Sequence, residues 1–324
     1  MIKIENLSVA FEGTEVVQNL NLELVDGEIV GVVGESGSGK SVSALTLMGL
    51  VSDEAVITSG RILFDDVVLR EAGKPCDKAL YRKYQGEKMS MVFQEPMTSL
   101  NPTQRVGKQV EEVLNLHTSL TPEEMKAKVL ETFESVGLRD VEKVYASFPH
   151  QLSGGMRQRV MIAMALAAEP RLIIADEPTT ALDVTIQAQI LDLLQDIKTK
   201  IDGSILLITH DLGVIAEMAD YVVVMYAGKV IEKGTVYEIF QDPRHPYTIG
   251  LQKSKPTMTL DDSTELYNIP GNVPNPVNMP THCYFKERCA KCTAKCSGDY
   301  PEMVQISPSH FVACHLYDGE DKNG

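Results

Sequence analysis

Gly34-Glu35-Ser36-Gly37-Ser38-Gly39-Lys40-Ser41 decides how the rest of this chain is read. It follows the apolar run Ile29-Val30-Gly31-Val32-Val33, which reads as a buried strand, and precedes Val42 to Leu50, which reads as the opening of a helix. A Gly-x4-Gly-Lys-Ser spacing between strand and helix is a phosphate cradle. Gly34, Gly37 and Gly39 let the backbone wrap closely around an anion with its N–H groups turned inward, and the following helix adds the positive end of its dipole. Lys40 is then placed to reach the outer phosphates and the Ser41 hydroxyl to hold Mg²⁺, with Ser36 and Ser38 in the same nucleotide-binding loop.

With 324 residues and 44% hydrophobic composition, the chain can build a sizeable core in one large unit or two unequal ones. Nothing in its net charge of −15 favours nonspecific binding to nucleic acid or anionic lipid, which calls for a basic face, and local basic patches stay open. The opening Met1-Ile2-Lys3-Ile4-Glu5-Asn6 lacks the pattern of a secretory signal, and no apolar run approaches the ~18 residues that span a bilayer. A cytoplasmic location is therefore expected, with any membrane role exerted through a partner. Five of the six cysteines fall between Cys283 and Cys314, which in a cytosolic chain suggests metal ligation before disulfides; Cys76 stands apart as a bystander.

Short alternating stretches at Ile2-Lys3-Ile4 and Leu20 to Leu24 predict antiparallel strands, with Phe11 at a turn where it could be core or could stack on an adenine ring. Further strands are expected at Ser59 to Phe64, Lys88 to Phe93, Arg171 to Asp176 and Ser204 to Thr209, and a hairpin at Tyr221 to Ile231. Arg70 to Gly86 reads as polar and exposed. Thr121-Pro122-Glu123-Glu124 supplies the start of a helix whose apolar face is Met125, Val129, Phe133 and Val136, ended by Gly137. Beyond Asp242 the recurrent prolines predict an extended segment without regular structure, then the cysteine cluster and an acidic tail.

Two later stretches narrow the chemistry. Ile173-Ile174-Ala175-Asp176-Glu177 puts acids at the end of a buried strand, where Asp176 could hold Mg²⁺ and Glu177 could orient or deprotonate a water; a helix-capping pair is the plainer alternative. Leu152-Ser153-Gly154-Gly155-Met156-Arg157-Gln158-Arg159 opens a helix with a serine and two glycines, a second anion-seeking helix end. Two such ends in one chain suggest two chains sharing two nucleotides.

Taken in order, these motifs resemble the ATP-binding cassette family over roughly Met1 to Leu251. The resemblance implies an α/β fold: a P-loop NTPase core with an antiparallel β subdomain and a helical subdomain at about 100–165, forming a nucleotide-binding domain over 1–250, then a proline-rich linker and small Cys-rich extension over 251–324. It implies ATP bound by Phe11 and the Gly34 to Ser41 loop and capped by Ser153, Gly154 and Gly155 of a second subunit, with Asp183 in the loop Ala181-Leu182-Asp183. It implies Glu177 as catalytic base, His210 at the γ-phosphate, and Mg²⁺ held through Ser41, Gln94 and Asp176, Gln94 also touching the attacking water. ATP would close the dimer and hydrolysis reopen it.

Gln94-Glu95-Pro96-Met97-Thr98-Ser99-Leu100-Asn101-Pro102 and His245-Pro246-Tyr247-Thr248 are similar to the peptide and nickel importer branch. The pattern Cys283-x5-Cys289-x6-Cys296-x17-Cys314 resembles the C-terminal extension of oligopeptide and dipeptide permease ATPases, which implies a 4Fe–4S cluster; thiol chemistry alone leaves Zn²⁺ open, and Cys292 leaves the third ligand open. The implied function is the ATPase of a peptide importer on the cytoplasmic face of a membrane. Implied partners are a second ATPase subunit, two transmembrane permease subunits and, indirectly, an extracytoplasmic binding protein. The alternatives are nickel or metallophore import, a soluble non-transport cassette ATPase, and a redox-sensing interaction module.

Overall fold

The computed structural model describes residues 1–94, 99–180, 182–254 and 267–319. Its organisation is set by burial. The strands β1 (Ile2–Phe11), β2 (Thr14–Leu24), β4 (Ala55–Phe64) and β5 (Val67–Glu71) mix buried positions with half-buried and exposed ones and pair antiparallel in the order β2-β1-β4-β5. Glu12 and Gly13 turn the first hairpin with φ of 48° and 79°, the conformation that a tight two-residue turn between twisted strands requires.

A second sheet is built from strands with no exposed residue at all: β3 (Ile29–Val33), β6 (Met89–Val92), β7 (Leu172–Asp176) and β8 (Ser204–Thr209). Such continuous burial means that both faces are covered, as parallel sheets require. Together with β9 (Tyr221–Tyr226), β10 (Lys229–Thr235), β11 (Val304–Gln305) and β12 (Phe311–Val312), the order is β11-β12-β10-β9-β3-β8-β7-β6.

Parallel register does the positioning. Val33 pairs with Thr209, Asp176 with Ile208, and Val92 with Ala175, so the carboxyl ends of β3, β8, β7 and β6 lie side by side along one edge. The residues just past each strand end are thereby gathered at that edge: the glycine loop, His210, Glu177 and Gln94.

The helical insert comprises Val106–His117, Pro122–Ser135, Val141–Ala146 and Gly154–Leu166. The expected capping box forms, Thr121 accepting from the Glu124 N–H while the Glu124 carboxylate accepts from the Thr121 N–H, and Val129, Phe133 and Val136 are buried. Gly137 comes after the helix at φ 75°, the left-handed position favoured past a helix end.

Two expectations are corrected. Arg70 to Gly86 is not simply an exposed polar stretch: Lys78–Tyr84 is a helix, capped by Asp77, whose Tyr81 is 2% exposed. The Tyr81 ring lies so close under Gly49 that a Cβ there would stand 2.5 Å from it. One aromatic anchors the segment although its neighbours are polar.

The second correction concerns the region beyond Asp242, where the prolines permit regular structure after all. Pro246 takes the first turn of the helix Pro246–Lys253, where its missing N–H costs nothing, and the His245 imidazole accepts from the Tyr247 N–H at 3.0 Å. Farther on, β12 pairs with β10, Glu232 opposite Val312, so the C-terminal segment extends the main sheet. Glu232, fully buried, accepts from the N–H groups of Arg244 and His245 and lies 2.8 Å from the His310 imidazole. A buried carboxylate with this many partners fixes where the segment enters the core.

Candidate functional site

Each part of the glycine loop is held by a separate contact. A Cβ on Gly34 would stand 2.2 Å from the Met225 carbonyl oxygen, so the loop can leave β3 along this path only without a side chain. Gly37 and Gly39 take φ of 79° and 94°. The ammonium of Lys40 is buried and donates to the carbonyls of Gly34 (2.8 Å) and Glu35 (3.0 Å) and to Ser38 Oγ (3.4 Å). Burial pulls its pKa below the usual lysine value, while Glu177, Asp176 and Glu35 oppose the fall.

The Ser41 hydroxyl donates to Asp176 Oδ1 at 3.1 Å. Burial raises the Asp176 pKa, with the Ser41 hydrogen bond opposing and the Glu177 charge adding to the rise. A hydroxyl beside one carboxylate suits Mg²⁺, which takes few protein oxygens and completes its sphere with phosphate and water, so these residues fit that ion. The Gln94 side chain reaches the same cluster: its Nε2 donates to Glu177 Oε2 at 3.2 Å.

Glu177 is where the strand ends converge. Its backbone is left-handed, φ 46°, and its N–H donates to the Ile208 carbonyl at 2.8 Å, which swings the side chain out of line with β7. The carboxylate accepts from Thr180 Oγ1 (2.8 Å) and Gln94, and lies 3.2 Å from His210 Nδ1. Burial pushes its pKa up, but the hydrogen bonds from Thr180 and His210 and the nearby positive charges outweigh it, and the net shift is downward from 4.5. A carboxyl with a lowered pKa is ionised above that value and loses its proton-accepting form only as pH falls through it. At neutral pH Glu177 is a proton acceptor. Thr180 was not singled out from the sequence; a hydroxyl three residues after an acid carries no signal until the left-handed turn at Glu177 is known.

The second anion-seeking end is also formed. Ser153, exposed, caps the helix Gly154–Leu166 by accepting from the Met156 N–H at 3.3 Å. Asp183, also exposed, caps the helix Val184–Lys200 by accepting from the Ile186 N–H at 3.0 Å. The two helix starts touch, since a Cβ on Gly155 would lie 2.9 Å from Ile186 Cγ2. Among the described residues no hydrogen bond or ion pair joins Ser153, Gly154 or Gly155 to residues 34–41. Buried Gln158 ties this end to the acidic one by donating to the Pro178 carbonyl at 2.7 Å. Beside Asp183, Val184 is 83% exposed, an apolar side chain left in water at the rim of this face.

Phe11 ends β1 opposite Thr14 and Ala55 and is half-buried against the core of the antiparallel sheet. Of the loop after Gln94, Glu95 to Thr98 lie outside the described residues, as does Ala181.

All the cysteines are unpaired. Burial pushes the Cys283 thiol up to about 11 and Cys314 up to about 12, and charge on Cys289 and Cys296 would add to the rise in both. The four thiols thus share one neighbourhood, while Cys292 is exposed. Among the described residues, however, no three His, Cys, Asp or Glu side chains are grouped closely enough to hold a metal ion. The donor chemistry suits a soft metal centre, and the arrangement as it stands does not form one.

Comparison with known proteins identifies this combination. The sequence profile described as ABC transporter matches residues 17–180 and thereby spans the glycine loop, the Ser153 helix end and the Asp176–Glu177 pair. The chain belongs to the ABC transporter family. A second profile, the C-terminal region of oligopeptide/dipeptide transporters, matches residues 231–296. The oligopeptide transport ATP-binding protein OppD of Bacillus subtilis (strain 168) is 47% identical over 98% of this chain and 88% of its own length. A dipeptide transport ATP-binding protein of Lactococcus lactis subsp. cremoris (strain MG1363) is 44% identical over 98% and 91%. Among solved structures, the ATP-binding cassette MJ0796, a dimer in a post-hydrolysis state with ADP and phosphate, superposes with a TM-score of 0.64 at 28% identity, covering 73% of this chain and 99% of that one. This ABC ATPase is thus of the oligopeptide/dipeptide permease type. Among the described residues no helix is long and apolar enough to cross a membrane.

Proposed function

We propose that this ABC ATPase powers the uptake of oligo- or dipeptides by binding and hydrolysing ATP across a pair of ATPase subunits. The observation that carries the reading is Glu177: an ionised carboxylate held by Thr180, Gln94 and His210 at the strand ends that also present Lys40, Ser41 and Asp176. In this reading the glycine loop and Lys40 bind the phosphates, and Ser41 and Asp176 would hold Mg²⁺, which would supply charge neutralisation for the triphosphate. Glu177 accepts the proton of the attacking water, His210 orients that carboxylate and meets the γ-phosphate, and Phe11 lies against the base. Ser153, Gly154 and Gly155, exposed or half-exposed at a helix start, cap the nucleotide of the neighbouring subunit, with Asp183 and Val184 beside them.

Attachment to the membrane would run through permease subunits. A groove of about 390 Å³ between the sheet and the helical insert exposes Leu50, Phe93 and Leu116, with Met161 and Met164 in its wall, a surface suited to an apolar helix. In this reading the chain works at the cytoplasmic face, paired with a second, related ATPase subunit and served indirectly by an extracytoplasmic binding protein. The match over residues 231–296 favours peptide over nickel as cargo, and full-length similarity to transport ATPases weighs against a soluble, non-transport role.

For the C-terminal thiols we infer a 4Fe–4S cluster on Cys283, Cys289, Cys296 and Cys314, with Zn²⁺ as the competing occupant; their shared neighbourhood supports it, and they would have to draw together on binding. Iron and sulfide analysis of anaerobically purified protein is expected to give about four of each per chain for a cluster of that type. Zinc without sulfide would replace the inference, and neither would remove it.

Glu177→Gln is expected to keep ATP affinity while turnover falls by ~100-fold or more, because the amide keeps the shape and cannot take a proton. Undiminished hydrolysis would take the proton-accepting role from Glu177. In the assembled complex, ATPase activity is expected to rise when peptide-loaded binding protein is added; the same rise with nickel and none with peptide would reassign the cargo.

A further inference from the structure

Glu35 lies within the phosphate loop, where the triphosphate of ATP must be received, yet it is an acid. A carboxylate there repels the ligand and attracts Lys40, the side chain meant for the ligand, and Glu35 does lie within the field of the Lys40 ammonium. The loop therefore needs something to neutralise it.

Arg288, 253 positions later in the Cys-rich extension and immediately before Cys289, meets that need. Its guanidinium grips the Glu35 carboxylate with both arms, Nη1 to Oε2 at 2.8 Å and Nη2 to Oε1 at 3.1 Å. Arg288 is 9% exposed and is itself aimed by three further contacts: Nε donates to the Pro270 carbonyl at 2.8 Å, Nη2 to the Ile269 carbonyl at 3.5 Å, and Nη1 to the Tyr226 hydroxyl at 3.3 Å. A planar fork with its remaining donors occupied is pre-organised for one carboxylate.

The backbone of Glu35 is restrained from the same side. Its N–H donates to the Tyr247 hydroxyl at 2.8 Å, and Tyr247 packs with Tyr226 and Phe285 in one aromatic cluster, ring centroids 4.7 to 5.4 Å apart. Its carbonyl accepts from Lys40. Three groups of one loop residue are thus bound, two by the C-terminal part of the chain and one by Lys40.

We propose that Arg288 is a positioning residue for ATP binding: by holding Glu35 it keeps that carboxylate from pairing with Lys40, so that the Cys-rich extension sets the affinity of the phosphate loop for nucleotide. This rests on the reading of the loop as the ATP site and adds to it a control from within the same chain. The extension acts as a strut on the loop, and a change in its seating at Cys289 is transmitted through one side chain.

The test compares nucleotide affinity, measured by equilibrium binding of ATP to the full-length chain, in Arg288→Met, Glu35→Gln and the double variant, alongside wild type. Removing the guanidinium alone frees Glu35 to compete for Lys40, and affinity is expected to weaken about tenfold, the scale of one charge-assisted hydrogen bond. Glu35→Gln in the same background removes the competitor, and affinity is expected to return to within about twofold of wild type. In steady state the single variant is expected to raise KM with kcat little changed, since the defect precedes chemistry. A double variant as weak as Arg288→Met would overturn the proposal, because a merely structural arginine is not rescued by deleting its partner's charge. Unchanged affinity in Arg288→Met would overturn it as well. Should Arg288→Met not fold, Arg288→Lys serves, since it keeps the charge without the two-armed grip and is expected to fall between wild type and the methionine variant; affinity identical to wild type would count against the proposal. Failure of wild type itself to bind ATP would instead overturn the reading of the loop.

Discussion

The structure depends on keeping one ammonium, that of Lys40, out of water without pairing it to an acid. A buried lysine paired with a carboxylate would stay charged but be occupied by that ion pair and unavailable to a phosphate. Lys40 is held instead by the loop's own carbonyls and Ser38, with Asp176, Glu177 and Glu35 near enough to keep it charged but engaged elsewhere. Asp176 is occupied by Ser41, Glu177 by Thr180, Gln94 and His210, and Glu35 by Arg288. The site is a set of diverted acids around one cation, which a triphosphate can enter without displacing any strong ion pair.

That arrangement comes from sheet register more than from any single motif. Once β6, β7, β8 and β3 pair in parallel with their ends level, residues more than a hundred positions apart arrive at one edge. The cost is a sheet with both faces covered, and the chain meets it with strands that are buried at every position and mostly apolar. The C-terminal segment continues the construction: β11 and β12 extend the sheet, buried Glu232 and His310 fix the junction, and Phe285 joins the aromatic cluster under the phosphate loop. This ABC ATPase therefore carries its extension as part of the cassette's own packing.

What was legible in the sequence was what local chemistry writes there. The Thr121–Glu124 capping box, the apolar strands and the acids at the end of β7 need only their neighbours to be recognised, and each is found where expected. Tyr81 and the helix at Pro246 were not legible, because a single buried aromatic in a polar stretch and a proline in a first helical turn look like loop until packing is known. Thr180 depends on a left-handed glutamate, which no residue preference announces. Arg288 and Glu35 were beyond any local reading, since nothing in either neighbourhood points across 253 positions to the other.

The account stands or falls on whether the Ser153 helix end completes a nucleotide site in an adjoining subunit. Amide hydrogen exchange on the Glu177→Gln variant within the assembled transporter, with and without ATP, addresses this directly. Slowed exchange over residues 153–156 together with residues 34–41 is the predicted result, since both ends would close on phosphate. Slowing confined to the glycine loop, with the Ser153 end exchanging as fast as before, would contradict it.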